Sequence, residues 1–530
     1  MFDIAIRNGT VVDGSGSPGF RADVVVSGDK IQAVGDSANV QARRIIDAQG
    51  LVVCPGFVDM HTHSDILLLA NPRQESKIMQ GVTTEVLGQD GLSYAPVNKD
   101  TLQILRKNLK GLNGDCEELA WDWTSVGDYL ALFDGKVAVN VCYLIPHGAI
   151  RMLVLGTETR TATDAELARM TALVAESMSQ GGVGFSTGLT YPPCAYSDIR
   201  ELVACCRGIK PLGGYFAPHL RSYGAHFVEA INEALQVGRE SGAPVHFTHF
   251  HSSFEPNKDR ANEVLGILDS ARSQGMDVTL DSYPYTAAST FLGGFFPSWV
   301  HAGGPAKFME RISSPAEREK IRREMEVEGC DGFSHVPIDW PNIVIGGVAS
   351  QKNQWAVGGS IAKLAAQKGK APFDLACELL LDEKLDVSIL AFIGFEKNVQ
   401  TIMKHPFQMA GTDGLLTGAR PHPRAWGTFA RYLQHYTREL NILTLPQCIR
   451  KMTSLPAARL GMPQRGLVRE GMAADLVVFD AERIEDTATY ENPRSHPRGI
   501  AYVLVNGQIA VENGKHTGVL AGRVLKKNQA

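Results

Sequence analysis

Two histidines, two residues apart at the end of an apolar run, are the first groups in this chain that could do chemistry. The run Leu51-Val-Val-Cys-Pro-Gly-Phe-Val is apolar and β-branched, and it turns polar in Asp59-Met-His-Thr-His-Ser-Asp65. Such a stretch reads as a buried strand. Strand side chains two apart leave the same face, so His61 and His63 present two imidazoles to one point beyond the strand's C-terminal end. Two neutral imidazoles are half of a metal site. With 15 histidines in 530 residues the pair alone is a weak signal, so its partners must come from elsewhere in the chain.

Three further segments end in the same way. Tyr215-Phe-Ala-Pro-His219-Leu-Arg-Ser, Val245-His-Phe-Thr-His249-Phe-His251 and Met409-Ala-Gly-Thr-Asp413-Gly-Leu-Leu each pass from apolar to polar. If these strands end at one face, His61, His63, His219, His249 and Asp413 converge there. Imidazoles with a carboxylate suit a divalent metal such as Zn²⁺, which lowers the pKa of bound water to about 7 and so supplies a hydrolytic nucleophile.

The elements that would position these groups alternate strands with amphipathic runs, the pattern of βα units. Strands are expected near 57–63, 82–88, 138–145, 182–188, 215–221, 244–250, 278–283 and 407–413. Between them, Asp164-Ala-Glu-Leu-Ala-Arg-Met-Thr-Ala-Leu-Val and Phe227-Val-Glu-Ala-Ile-Asn-Glu-Ala-Leu carry a helical period. Eight strands predict an α/β fold of the closed TIM-type (β/α)₈ barrel, whose chemistry sits at the C-terminal strand ends. Residues 1–56 and 461–530 instead alternate apolar and polar positions between Gly- and Asp-containing turns, as in Ile4-Ala-Ile-Arg-Asn-Gly and Ala474-Asp-Leu-Val-Val-Phe-Asp. They are expected to form one small β-sandwich from both chain ends, flanking a catalytic barrel over 57–460.

The seventh and eighth strands are too far apart for a single helix. The segment of about 288–345, Gly- and aromatic-rich and then charged in Glu317-Arg-Glu-Lys-Ile-Arg-Arg-Glu, reads as an insertion that covers the barrel mouth. Its run Phe291-Leu-Gly-Gly-Phe-Phe-Pro-Ser-Trp299 is expected to pack the insertion rather than wall a pocket. Leu525-Lys-Lys-Asn-Gln-Ala530 reads as a frayed tail.

Composition narrows the partners. The chain is 44% hydrophobic and 21% charged, the profile of a soluble enzyme with a large core. A net charge of -5 offers no basic footprint for nucleic acid or an anionic membrane surface. The start lacks a signal-peptide core, and no apolar run reaches the roughly 18 residues of a membrane span. A small-molecule substrate is the expected partner, and a homo-oligomer stays open. The nine cysteines are scattered, with Cys205-Cys206 the only close pair, which fits reduced thiols in the cytoplasm better than a disulfide framework.

The placement of Phe57-Val-Asp-Met-His-Thr-His, His219, His249 and Thr412-Asp-Gly resembles the amidohydrolase superfamily of metal-dependent hydrolases. More closely, the chain resembles the N-acyl-D-amino-acid deacylases, or D-aminoacylases, through Gly81-Val-Thr-Thr-Glu, Gly184-Phe-Ser-Thr-Gly-Leu-Thr-Tyr-Pro-Pro, Asp281-Ser-Tyr-Pro-Tyr-Thr-Ala and His422-Pro-Arg-Ala-Trp-Gly-Thr-Phe. The resemblance spans nearly the whole length. It implies cleavage of an N-acyl-D-amino acid to a carboxylate and a free D-amino acid by metal-activated water. It implies one or two divalent ions, with His219 and His249 on the tighter one, His61, His63 and Asp413 lining a second position, and Asp413 as the general base that later protonates the leaving nitrogen. Tyr283 matches a position that contacts the substrate carboxylate.

Two features depart from that pattern. The family carries a Cys ligand in a Gly-Asn-Cys-Gly turn after strand two, where this chain has Gly88-Gln-Asp90-Gly91, so Asp90 is expected to replace a thiolate by a harder carboxylate. Strand six of the family often shows His-His-Lys, whereas this chain has His249-Phe-His251, so a pH-dependent imidazole is expected where the family places a lysine on the carboxylate. Arg221 and Arg424 are further candidate cations for an acidic substrate, and His147, closing strand three, is expected to reach the pocket. The alternatives are another linear or cyclic amide, such as a dihydropyrimidine, hydantoin or unusual dipeptide, and, more remotely, a metal-free binding scaffold.

Overall fold

The computed structural model describes residues 1–37 and 39–527. Eight parallel strands form one sheet in chain order: β1 (Phe57–Asp59), β2 (Val82–Leu87), β3 (Asn140–Pro146), β4 (Gly184–Gly188), β5 (Tyr215–His219), β6 (Val245–Phe247), β7 (Val278–Ser282) and β8 (Gln408–Ala410). Each lies inside or within a residue of an expected segment. Beyond the ends of β1 and β8 the barrel is closed by backbone bonds: Met60 N–H to Ala410 O at 3.2 Å, Asp413 N–H to His61 O at 2.7 Å and His63 N–H to Gly414 O at 3.1 Å.

Side-chain alternation explains why the sheet curls into a barrel. Val58, Val86, Cys142, Leu144, Tyr215, Ala217 and Met409 point inward and form one apolar cluster with Leu455, Leu460 and Met462 below. Their neighbours, among them Phe57, Val141, Phe185, Phe216 and Val245, join the larger core under the surrounding helices. The two amphipathic runs are helices Asp164–Ser179 and Phe227–Ser241, the first started by a capping box between Thr163 and Glu166.

Both chain ends share one nine-stranded sheet, joined where Val52–Pro55 runs antiparallel to Leu476–Phe479 with Cys54 opposite Val477. Alternate residues Ile4, Ile6, Val24, Val26, Val53, Leu476 and Val478 build its own core. Cys54, Val477 and Phe479 face the barrel instead. The tail read as frayed is held through its last described residues: Val141 N–H donates to Arg523 O at 2.9 Å and Leu525 N–H to Val141 O at 2.8 Å. Leu525 also packs on the inner barrel cluster, and residues 528–530 of that expected tail lie outside the described residues.

Residues 283–407 separate β7 from β8 and build an antiparallel sheet in which Val387–Phe392 lies between Ala287–Phe291 and Ile343–Val348. The excursion read as 288–345 therefore continues to a third strand. It lies over the barrel mouth, and its Phe333 and Ser334 dock on the loop after β5 through Tyr223 N–H to Phe333 O at 3.4 Å and Ala225 N–H to Ser334 O at 2.8 Å. Gly224 permits this approach, because a Cβ there would stand 2.0 Å from the Ser334 carbonyl oxygen.

Candidate active site

The C-terminal strand ends bring the expected ligands to one carboxylate. Asp90 follows β2 on a turn whose Gly88 has φ +77° and whose Cβ would stand 2.1 Å from the Leu144 carbonyl oxygen, so only glycine fits there. Asp90 Oδ1 lies 3.6 Å from His61 Nε2 and 3.4 Å from His249 Nε2. Its Oδ2 lies 3.5 Å from both His63 Nε2 and His219 Nδ1. Asp413 Oδ1 faces His61 Nε2 at 3.6 Å and His63 Nε2 at 3.3 Å, while its Oδ2 pairs with Arg424 Nη1 at 3.0 Å. His61, His63, Asp90 and Asp413 make one group with metal-binding spacing and Asp90, His219 and His249 another, so Asp90 belongs to both.

The polar groups of this cluster also fit a metal ion. His61 Nε2 and Asp90 Oδ1, 3.6 Å apart, are buried without a hydrogen-bond partner among the described residues. Buried polar atoms without partners are costly, and a shared cation would satisfy them together. Several rings are held from behind: Thr190 Oγ1 lies 2.8 Å from His219 Nε2, Tyr223 OH 3.1 Å from His249 Nδ1, and Asp281 Oδ2 3.7 Å from His61 Nδ1. Such partners fix which nitrogen faces the metal. Asp90, His249 and Asp413 also share positive φ values of +55°, +29° and +47°, backbone strain of the kind that collects at functional sites.

Burial pushes the Asp413 carboxyl up, but Arg424 and the His63, His61 and His249 imidazoles outweigh it and hold the group well below the usual carboxylate range. For His61, burial pushes down while Asp90 and Asp281 hold the ring well above the ordinary histidine range. The metal-free protein therefore carries a proton there that uptake must expel, and raising the pH removes this competitor. Metal affinity should accordingly rise from about pH 6 to about pH 8, with proton release on loading; chelator competition with a pH-sensitive dye checks this. An affinity flat across that span would remove the protonated His61.

Above the ligands lies a pocket walled by Leu92, Leu112, Tyr191, Phe333, Ile393 and Leu415. Tyr283 and His251 line it too, their rings stacked 4.0 Å apart. Burial pushes the His251 imidazole down to about 3, so the expected pH-dependent cation is a neutral ring, and its Nε2 has no partner among the described residues. Arg424 is buried behind Tyr283, 4.4 Å from the ring centroid, with its Nε free of partners among the described residues.

Two expectations fail. His147 does not line the pocket: it is buried behind it, with Nδ1 2.8 Å from Thr187 Oγ1 and Nε2 2.8 Å from Glu201 Oε1, and Arg151 closes the group. Arg221 is held by Glu233 at 2.8 Å and by the carbonyls of Ala195 and Ser197, and it lines a separate surface groove. Each met a carboxylate before it could reach the pocket. Sequence reading missed Asp281 and Thr190 as ring-holding groups, although both stand in or beside quoted motifs. It had no signal for Phe333, which arrives from the insertion.

A (β/α)₈ barrel that gathers four imidazoles and two carboxylates at its C-terminal strand ends defines a metal-dependent hydrolase of the amidohydrolase type. The family model described as "Amidohydrolase family" matches residues 44–511. The chain is 36% identical over 530 residues to a D-aminoacylase of Alcaligenes xylosoxydans xylosoxydans, covering 100% of this chain and 98% of that one. An N-acyl-D-aspartate deacylase of the same organism is 34% identical over 532 residues, covering 100% and 96%. Among solved structures, an N-acyl-D-glutamate deacylase of Bordetella bronchiseptica, complexed with zinc and a phosphonate inhibitor that mimics the tetrahedral intermediate, superposes with a TM-score of 0.83 at 31% identity, covering 99% of each chain. The chain belongs to the amidohydrolase family, within its branch of D-aminoacylases and N-acyl-D-amino-acid deacylases.

Proposed function

We propose that this protein hydrolyses N-acyl-D-amino acids whose side chain is apolar, giving a carboxylic acid and a free D-amino acid, with zinc as its metal. The observation that carries this reading is Asp413: one oxygen faces the imidazole cluster and the other pairs with a buried arginine beneath the pocket wall. His219 and His249 with Asp90 would hold one ion, and His61 and His63 with Asp413 a second position sharing Asp90. Zinc held by these residues would supply Lewis acidity toward the amide carbonyl and the attacking water. Asp413, kept ionised by Arg424, accepts the proton from the attacking water and hands it to the amide nitrogen as the C–N bond breaks. Tyr283 and the neutral His251 form the wall against which the α-carboxylate lies.

The named relatives support the D-configuration. The pocket supports an apolar side chain: among the described residues, none of those lining it is lysine or arginine, so a second carboxylate would be buried without a cation. The site of action proposed is the cytoplasm, supported by nine free cysteines, eight of them buried. No helix among the described residues is long and apolar enough to cross a membrane.

The test is hydrolysis by zinc-loaded protein, read as amine release from N-acetyl-D-leucine, its L-enantiomer, N-acetyl-D-aspartate and N-acetyl-D-glutamate, and as ring opening to the N-carbamoyl acid for a hydantoin. The D-leucine derivative should be fastest and the two acidic ones slower by about 100-fold or more, the scale of one charge buried without its partner. Turnover of the hydantoin alone would transfer the chemistry to cyclic amides, and equal rates for both enantiomers would remove the D-specific reading.

A further inference from the structure

Beneath the junction of β1 and β8 lies an ion cluster that faces no substrate. Lys77, from the short helix Glu75–Ile78, is fully buried together with Asp59 and Glu85. Its Nζ donates to Asp59 Oδ2 at 2.7 Å, Thr62 Oγ1 at 2.9 Å and Thr412 Oγ1 at 2.5 Å, and lies 3.8 Å from Glu85 Oε1. All three donors of the ammonium are therefore committed to the residues around the seam.

Those residues in turn hold the backbone that carries Asp413. Asp59 Oδ1 accepts from Thr412 N–H at 2.8 Å and from His61 N–H at 3.3 Å, and Asp59 Oδ2 accepts from Thr412 Oγ1 at 2.7 Å. Thr412 Oγ1 also accepts from Gly414 N–H at 3.0 Å. Asp413 is thus anchored through the residue on either side and through its own N–H to His61 O at 2.7 Å. Its φ of +47° lies in the left-handed region, which a residue with a Cβ keeps only where its surroundings over-determine it.

We infer that Lys77 is a positioning residue for the reaction: through Thr412 and Asp59 it maintains the left-handed turn that aims the Asp413 carboxylate between the His61–His63 pair and Arg424. This rests on the role proposed for Asp413. Lys77 touches no pocket group and acts only through the seam.

Three variants of the zinc-loaded enzyme test it. Lys77→Met removes the ammonium, Thr412→Val keeps the buried Lys77–Asp59 pair and deletes only the hydroxyl, and Thr412→Ser restores that hydroxyl. With N-acetyl-D-leucine, kcat should fall about 100-fold in the first two, the scale of an ångström-sized misplacement, with zinc content at the wild-type level, KM within about threefold and Thr412→Ser close to wild type. Amide hydrogen exchange across 411–415, which needs no substrate, should accelerate in the same two variants. Unchanged kcat and unchanged exchange in Thr412→Val would overturn the assignment even if Lys77→Met fails to fold, and so would an activity loss that merely follows zinc loss. A wild type inactive on every N-acyl-D-amino acid would sink the proposed function, and the exchange measurement alone would then judge Lys77.

Discussion

Asp413→Asn should abolish turnover, by about four orders of magnitude in kcat, while the protein still binds metal. One carboxylate performs two transfers in the proposed reaction, taking a proton from water and giving it to the leaving nitrogen, and a positioned acid or base commonly supplies about 10²- to 10⁴-fold. Asparagine keeps the volume and the contact with Arg424 but accepts no proton. The group of Asp90, His219 and His249 is untouched by the change, so metal analysis should return at least one equivalent per chain. KM should move little, since the loss lies in the transition state. A rate within tenfold of wild type would remove Asp413 as the proton carrier, and loss of all metal would recast it as a ligand alone. Because Arg424 would be left buried beside a neutral group, a thermal melt belongs in the same experiment; a destabilised but folded protein is compatible with the assignment.

Strand ends were the most legible part of this chain, for a physical reason. A short buried strand must be apolar, and where it leaves the sheet at the catalytic face the constraint lifts at once, so His61, His219, His249 and Asp413 stand out as abrupt polar residues in apolar company. The same rule cannot say which way a polar residue turns once past the strand. His147 satisfies it as well as His219 does, yet Glu201 and Thr187 took both its nitrogens. Arg221 follows His219 by two residues and found Glu233 on the helix Phe227–Ser241. Lys77 was illegible for the opposite reason. A lone lysine on a polar stretch reads as solvent-exposed, since lysine is almost never fully buried unless paired, and its partners Asp59 and Thr412 are distant in sequence or lie in another element. Phe333 and the third strand of the insertion depend on long-range packing, which local periodicity does not encode.

Asp90→Ala should cost the metal itself. The carboxylate stands among four imidazole nitrogens at 3.4 to 3.6 Å, two on each oxygen, and it belongs to both groups with metal-binding spacing. Burial pushes this carboxyl up, but His249, His61 and His219 outweigh it and keep it far below the usual carboxylate range, so it is ionised and ready to accept a cation at any working pH. Alanine would leave four buried imidazoles facing a void with no negative charge at its centre, and a cation placed there would meet only neutral rings and Asp413. Zinc affinity should fall by well over the roughly 10- to 100-fold typical of losing an outer partner, because here a ligand is lost. Turnover should fall in step with zinc content and recover in part as the metal concentration is raised. Asp90→Cys separates charge from hardness: a thiolate restores the charge with a softer donor, so zinc binding should return while affinity for hard ions such as Mn²⁺ does not. Full metal content and near-wild-type turnover in Asp90→Ala would show that His61, His63, His219, His249 and Asp413 hold the ion without it, and Asp90 would then be only the turn residue that its left-handed backbone allows.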